Sequence, residues 1–463
     1  MLSLPWCLMQ ASLVPGLVLM VFISVLAALS VVVICASADL AGKVYTFKEL
    51  GARAVGPGFG VFLQVVVALY TFGSCISYAV LLLDFLPSIF EAVSGETGQW
   101  WEDRGFIILV LGAALLLPMS LARDLSRFEF TSTVAVGCVL LTVGILVWRG
   151  SSPTGWDTVV VADFTPGTFA AMPILAVATT MHYNSLRFYR ELPQQHRNPR
   201  TMGGITIGAF AICLVAYAAS AAAGYIAFGS ATRGEVLANF PRNLDDTAGI
   251  LALIVRVAFA VVVAFTYPLS LHPLRAAVFS LLPPRLALCG RGVAAASLYV
   301  PVTVLLVALT CTIGWLVPQI EVVLDYKGAI AGSCIVFVGP GVMYAALALR
   351  GGPLAPKAEV DGAGAAPLLA AGEGGSPDAG SSELRACPCC LRAGCGCAGR
   401  VAFLCGGGDE GRRVAVCGGE WWSLAWTRVA MTWPGAMAIL FLAWGIGPMM
   451  IGGVLKTAGV LTG

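Results

Sequence analysis

The side chains able to do chemistry in this chain gather in a few short stretches. The densest runs through Thr179, Thr180, Met181, His182, Tyr183, Asn184 and Ser185. Hydroxyls, an amide and an imidazole at neighbouring positions can donate and accept hydrogen bonds or hold a ligand. Thr71, Ser74 and Tyr78 recur at intervals of three and four, which sets them on one face of a helix. Thr266 and Ser270 flank Pro268, which lacks an N–H and so frees a backbone carbonyl. Freed carbonyls and hydroxyls together are hard oxygen ligands that suit Na⁺. Arg256 interrupts an apolar run, and an arginine inside a membrane is expensive and faces the bundle interior.

Each stretch also has a plainer reading. The polar residues after Ala178 fit a helix that has already reached the headgroups, and the hydroxyls near Thr71 fit ordinary contacts between helices. Pro268 fits a simple kink, and Asp84 fits the membrane interface. Enzyme chemistry finds no support. His182, His196 and His272 are too few and too scattered for a metal site. No G-x-S-x-G or phosphate-binding loop sits on a soluble stretch. A secondary transporter, a channel or a receptor remains, and nothing reads as the ring of like residues that a channel needs.

The elements that must position these residues are membrane helices. Hydrophobic residues make up 58% of the 463 and charged ones 11%, against about 25% charged in a soluble domain. The net charge of +2 comes with no basic face for nucleic acid. Mean hydropathy is +0.88, concentrated in long apolar runs, so the chain reads as an all-α polytopic membrane protein. Spans are expected at 13–36, 61–83, 106–121, 130–148, 169–186, 203–228, 248–271, 294–317, 328–349 and 433–455. Residues 1–10 are apolar but cover only about 15 Å, half a bilayer. No secretory signal precedes the first full span, which is expected to target the chain.

The span 169–186 is unusual. It reaches the ~20 residues needed to cross only by carrying its polar cluster through the membrane, as the discontinuous helices of transporter sites do. Alternate loops carry twelve and five basic residues, Lys327 counted in the poorer set, which puts the richer set in the cytosol. The chain divides into a membrane core over 1–350, a cytosolic Gly/Ala/Cys-rich loop over 351–425 expected to be disordered, and a last helix with the C-terminus over 426–463. Of the fifteen cysteines, seven fall in that loop. CPCCLRAGCGC, from Cys387 to Cys397, matches zinc spacing only loosely and is read chiefly as a variable insertion, with zinc and lipid attachment as alternatives.

Four motifs in order carry a family resemblance. GYIAFGSATRGEVLANFP (224–241) resembles the G-Y-x-x-F-G … V-L-x-N-[FY]-P segment of the amino acid/auxin permease family, in particular its sodium-coupled neutral amino acid transporter branch. YTFGSCISYAVLLLDFLP (70–87) looks like that family's third helix, AFTYPLSLHPLR (264–275) like its eighth, and HYNSLRFYREL (182–192) like the cytosolic end of its sixth. LSLPW (2–6) is similar to the segment just past the glycine-rich break of the family's first helix.

The resemblance implies about eleven helices, ten of them as two inverted five-helix repeats, with helices one and six broken: a leucine-transporter-like fold. It implies a symporter of neutral amino acids with Na⁺ or H⁺ as coupling ion and no other cofactor, in the plasma or a vacuolar/lysosomal membrane. Thr179, Thr180, Met181 and His182 would contact substrate from the sixth helix, and Thr71, Ser74 and Tyr78 from the third. Thr266, matching the family's helix-eight threonine, would hold the ion with Ser270, and His182 matches its helix-six histidine. The family's helix-one Asn and G-S-G break are expected before Leu2, so the first helix reads as truncated. Arg187 stands where a proline is usual, and Met181 departs from the residue usual before the histidine. The runner-up is a transport-dead homologue acting as a membrane amino acid sensor or scaffold.

Overall fold

In lipid a helix satisfies its own backbone, so the long uncharged runs of this sequence wind into helices. The computed structural model describes residues 1–350 apart from 96–97, 123–128, 152–154, 243, 245, 282–292 and 318. The loop expected over 351–425, its cysteines and the helix expected over 433–455 lie outside the described residues.

Helix α1 (Leu4–Ala11) is short and turns at once into α2 (Leu13–Leu40). Only Ser12 separates them, with φ at +66°, and there the chain reverses its hydrogen bonding. The first amides of α2 are satisfied from elsewhere, Leu13 N–H donating to the Val160 carbonyl at 3.0 Å and Val14 N–H to Val161 at 2.9 Å. The chain continues through α3 (Phe47–Ala54), α4 (Pro57–Ser94), α5 (Arg104–Leu111), α6 (Leu117–Leu121) and α7 (Glu129–Gly150). The broken pair α8 (Gly167–Ala178) and α9 (His182–Glu191) comes next, then α10 (Pro199–Phe228), α11 (Thr247–Leu281) and α12 (Val293–Leu316). Helices α13 (Ile320–Tyr326) and α14 (Gly339–Leu349) are joined through π-helical turns at Lys327–Gly332 and Cys334–Val338.

Eight stretches among the described residues are long and apolar enough to cross a membrane, from Leu13–Leu40 to Ile320–Leu349. They match eight of the expected spans. The stretch 169–186 is instead two short helices. Side chains on the outer faces are large and apolar, as lipid requires: Ile212 and Val215 of α10 are 75% and 71% exposed. Helix α11 lies along α4, α10 packs on α2 and α7, and α1 is wedged between α8 and α10.

Two expectations are corrected. The segment 39–56 is not all loop, because Thr46 caps α3 by accepting from Glu49 N–H at 3.3 Å. Lys327 is not in a loop. The span that was expected to begin at 328 begins at Ile320, and Lys327 opens a π-helical turn inside it. A lysine ends an apolar run in a hydropathy reading, whereas the helix carries straight through it.

Arg256, buried at 3% exposure, faces the interior as expected. Its Nη2 donates to the carbonyls of Leu237 at 2.8 Å and Phe240 at 3.1 Å, and its Nη1 to Pro241 at 3.3 Å. The V-L-A-N-F-P motif is thus a short helical turn, Val236–Asn239, followed by Phe240 and Pro241, and the carbonyls of Leu237, Phe240 and Pro241 converge on one guanidinium. That accounts for both the motif and the charge without any ligand.

Gly328 sits directly against the backbone of Pro173 in α8, and a Cβ there would collide with the Pro173 carbonyl. Gly328→Ala should therefore destabilise the detergent-solubilised chain by about 1–3 kcal/mol, the usual cost of overpacking. Gly204→Ala, where a Cβ meets nothing within 4 Å, should leave the thermal midpoint unchanged. Paired thermal melts of the two variants check this.

Candidate functional site

Helix α8 stops inside the bundle because its last residues turn their hydroxyls on their own backbone. Thr180 Oγ1 donates to the Ala176 carbonyl at 2.7 Å and Thr179 Oγ1 to the same oxygen at 3.1 Å. The amides of Thr179 and Thr180 tighten to i−3 carbonyls, at 3.2 Å each. Met181 then leaves helical geometry, with φ −125° and ψ 1°, and α9 restarts at His182. Such side-chain competition for the backbone is how threonine ends helices.

The other end of α8 fixes where α1 points. Thr165 Oγ1 donates to the Gln10 carbonyl at 2.7 Å, and Gly167 abuts that same carbonyl. The C-terminus of α1 therefore meets the N-terminus of α8. The two run antiparallel, so the N-terminus of α1 points along α8 toward the break at Thr179–Met181. Two helix N-termini, those of α1 and α9, consequently direct their positive dipole ends into one region. That is the arrangement for an anionic group such as a carboxylate.

His182 is fully buried, and its Nε2–H donates to the Ala27 carbonyl of α2 at 3.0 Å. Its Nδ1 has no partner among the described residues, so it offers a spare acceptor beside the break. Across from it on α4, Tyr70 brings its hydroxyl close to Thr180 and sets its ring 5.7 Å from that of Tyr183. Tyr70 and the sixth-helix residues are thus joined, although sequence reasoning singled out only the residues after Tyr70. Thr71 and Ser74 are buried on the same helix, with their hydroxyls donating to the carbonyls of Val67 at 2.8 Å and Tyr70 at 3.0 Å.

Tyr78 and Ser270 lie close to each other across the contact between α4 and α11, which brings an expected substrate residue near an expected ion residue. Thr266 is half-buried one turn before Ser270, and its hydroxyl donates to the Val262 carbonyl at 2.7 Å. Met181 packs with Val31, Tyr189 and Met202. The apparatus therefore divides into a cluster around the break (Tyr70, Thr179, Thr180, His182) and a cluster on α4 and α11 (Tyr78, Thr266, Ser270).

Beyond one end of the break lies a cavity of about 610 Å³ lined by charged residues of four segments, among them Asp84, Arg104, Glu235, Arg242 and Glu321. Arg104 pairs with Asp84 at 2.7 Å and Arg242 with Glu91 at 2.8 Å. Glu235 is 7% exposed, caps the short turn by accepting from Leu237 N–H at 2.7 Å, and neighbours the Arg256 guanidinium. At the opposite end, Arg197 binds the Tyr45 hydroxyl at 3.2 Å and the Arg190 carbonyl at 2.6 Å, while Tyr189 donates to Asp39 at 2.9 Å. The broken helix is thus tied down beyond α9, while the charged cavity lies beside Trp6 of α1.

A bundle of membrane helices with one helix interrupted at mid-depth, helix N-termini turned into the interruption and hydroxyls around it defines a transport protein rather than an enzyme. The profile of the transmembrane amino acid transporter protein family matches residues 1–350, and the chain belongs to that family. It is 30% identical over 338 residues to sodium-coupled neutral amino acid transporter 7 of Xenopus laevis, covering 70% of this chain and 72% of that protein. The human protein of the same name is 26% identical, covering 68% of each chain. Solute carrier family 38 member 10 of Rattus norvegicus is 27% identical over 74% of this chain, which spans 31% of that relative.

Glu235 titrates where the vestibule can feel it. Burial raises its carboxyl from 4.5 to about 8, against the pull of the Leu237 N–H. The folded state thus holds a proton that the unfolded state releases, and stability must fall as pH rises from about 4.5 to about 8. In thermal melts across that range, Glu235→Gln should flatten this decline while preserving the fold.

Proposed function

We propose that the chain is a secondary active symporter that moves neutral amino acids together with Na⁺ or H⁺. The observation that carries this reading is the interruption of α8–α9 at Thr179–Met181, toward which the N-terminus of α1 points. The amino acid carboxylate would lie between the N-termini of α1 and α9, with Thr179, Thr180, Met181 and His182 beside it. Thr71, Ser74 and Tyr78 would bound it from α4, and the ion would take oxygens from Thr266 and Ser270 together with the Ala264 carbonyl that Pro268 leaves free. The sodium-coupled naming of the relatives favours Na⁺ over H⁺.

In this reading α1 and the pair α8–α9 correspond as the broken helices of two inverted five-helix repeats, and residues 426–463 supply an eleventh helix after a cytosolic loop over 351–425. The charged vestibule at one end and the Arg197–Tyr45 tie at the other are the natural outer and inner closures of alternating access. His182 tunes the site rather than performing catalysis.

The test is uptake of a panel of radiolabelled neutral L-amino acids into liposomes that hold the chain, under an inward Na⁺ gradient, an inward H⁺ gradient, or neither. Uptake driven by one gradient is expected, and Thr266→Ala should lower it about tenfold or more at limiting ion. Absence of uptake under every gradient, with the protein folded and still binding amino acid, would leave a sensor in its place.

A further inference from the structure

Lys327 is the residue that the sequence put in the wrong place, and where it lies asks for an explanation. It opens the π-helical turn Lys327–Gly332 within the last described span. Single π-helical turns inside α-helices are frequent at functional sites, because the inserted residue widens the helix and redirects a side chain. Here the side chain crosses to α4. Gly73 has no Cβ to meet it, and one built there would stand 3.3 Å from the Lys327 Cβ, Cγ and Cδ. The ammonium lies 4.6 Å from the centre of the Tyr70 ring. That ring belongs to the tyrosine whose hydroxyl lies close to Thr180 and which stacks near Tyr183. The next residue, Gly328, is seated on α8 at Pro173.

The Cys75 thiol bears electrically on the ammonium, and a thiol is no anion that could balance it. An aromatic face attracts a cation, but by far less than a carboxylate does at the same depth. A cation inside a membrane bundle ordinarily pairs with an acid or stands on a ligand path. Lys327 thus adds a positive charge beside Tyr70, which meets Thr180 at the break, and forms no ion pair among the described residues.

We propose that the Lys327 ammonium binds the α-carboxylate of the transported amino acid, the ligand itself supplying the missing counter-ion. The proposal rests on the symporter reading above and adds its specificity-determining charge. Tyr70 holds the ammonium from behind and couples it to Thr180, so an occupied site is registered directly at the helix break. A ligand with the same side chain and α-amine but a neutral carboxamide loses the attraction and is rejected.

The measurement is ligand-induced thermal stabilisation of the purified full chain in detergent. A panel of neutral L-amino acids is compared with the carboxamide of each, and separately with phosphatidylglycerol micelles. Wild type should be stabilised by at least one amino acid and not by its carboxamide. Lys327→Met should weaken the response to that amino acid about tenfold or more, with Lys327→Arg intermediate. Equal stabilisation of wild type by acid and carboxamide would overturn the proposal and leave the symporter reading standing. So would a Lys327→Met protein that still distinguishes the two. Lysine-dependent stabilisation by phosphatidylglycerol alone would make the counter-ion a lipid and also overturn it. Failure of every amino acid to stabilise wild type would remove both readings together. Should Lys327→Met fail to fold, the acid-to-carboxamide comparison on wild type and Lys327→Arg decides.

Discussion

Backbone that leaves a helix within hydrocarbon has to find its partners in protein, and the arrangement around Thr179–Met181 is the answer to that one demand. Thr179 and Thr180 take up the Ala176 carbonyl, Tyr70 meets Thr180 from α4, and His182 anchors the restarted helix to Ala27 of α2. Each tie comes from a different helix. The interruption is therefore stable only when α2, α4 and α8 are already assembled. Helix α1, too short to span, finds its place as the antiparallel companion of α8.

The same economy governs the polar ends of the bundle. The turn Val236–Asn239 and the Phe240–Pro241 segment after it present carbonyls beside apolar helices, and Arg256 gathers those of Leu237, Phe240 and Pro241 from within α11. Arg275 does similar work at the far end of that helix, donating to the Ser120 carbonyl at 2.9 Å and to Thr303 at 3.0 Å. Both guanidiniums are engaged with neutral oxygens. The long helix α11 is thereby clamped at both ends, while its middle, with Thr266 and Ser270, lies against α4.

Much of this was legible in the residues. Apolar length located the eight spans, and the fall from 170–178 into hydroxyls and imidazole marked the place where one helix breaks. The face shared by Thr71, Ser74 and Tyr78 came from spacing alone. What escaped was decided by tertiary contact. Lys327 reads as the end of a loop because hydropathy assigns a charge to water. Only the opening left by Gly73 and the ring of Tyr70 draw it into the contact with α4, where it is half-buried. Glu235 and Tyr70 gave no local signal at all, since their partners lie on other segments. Helix α3 is signalled by Thr46 with Glu49 three residues on, but a polar stretch between spans invites no search for a capping box.

The hydroxyls in and beside the two polar clusters are already engaged. Those of Thr71, Ser74, Thr179, Thr180 and Thr266 each donate to a carbonyl one turn back in their own helix. Any guest that recruits them merely exchanges one acceptor for another, and such a trade is close to thermoneutral. Discrimination among guests cannot then come from counting hydroxyl contacts. In the proposed site it would fall to the shape of the space around the break and to groups without a prior commitment, such as the Nδ1 of His182, while the threonines would form a compliant lining.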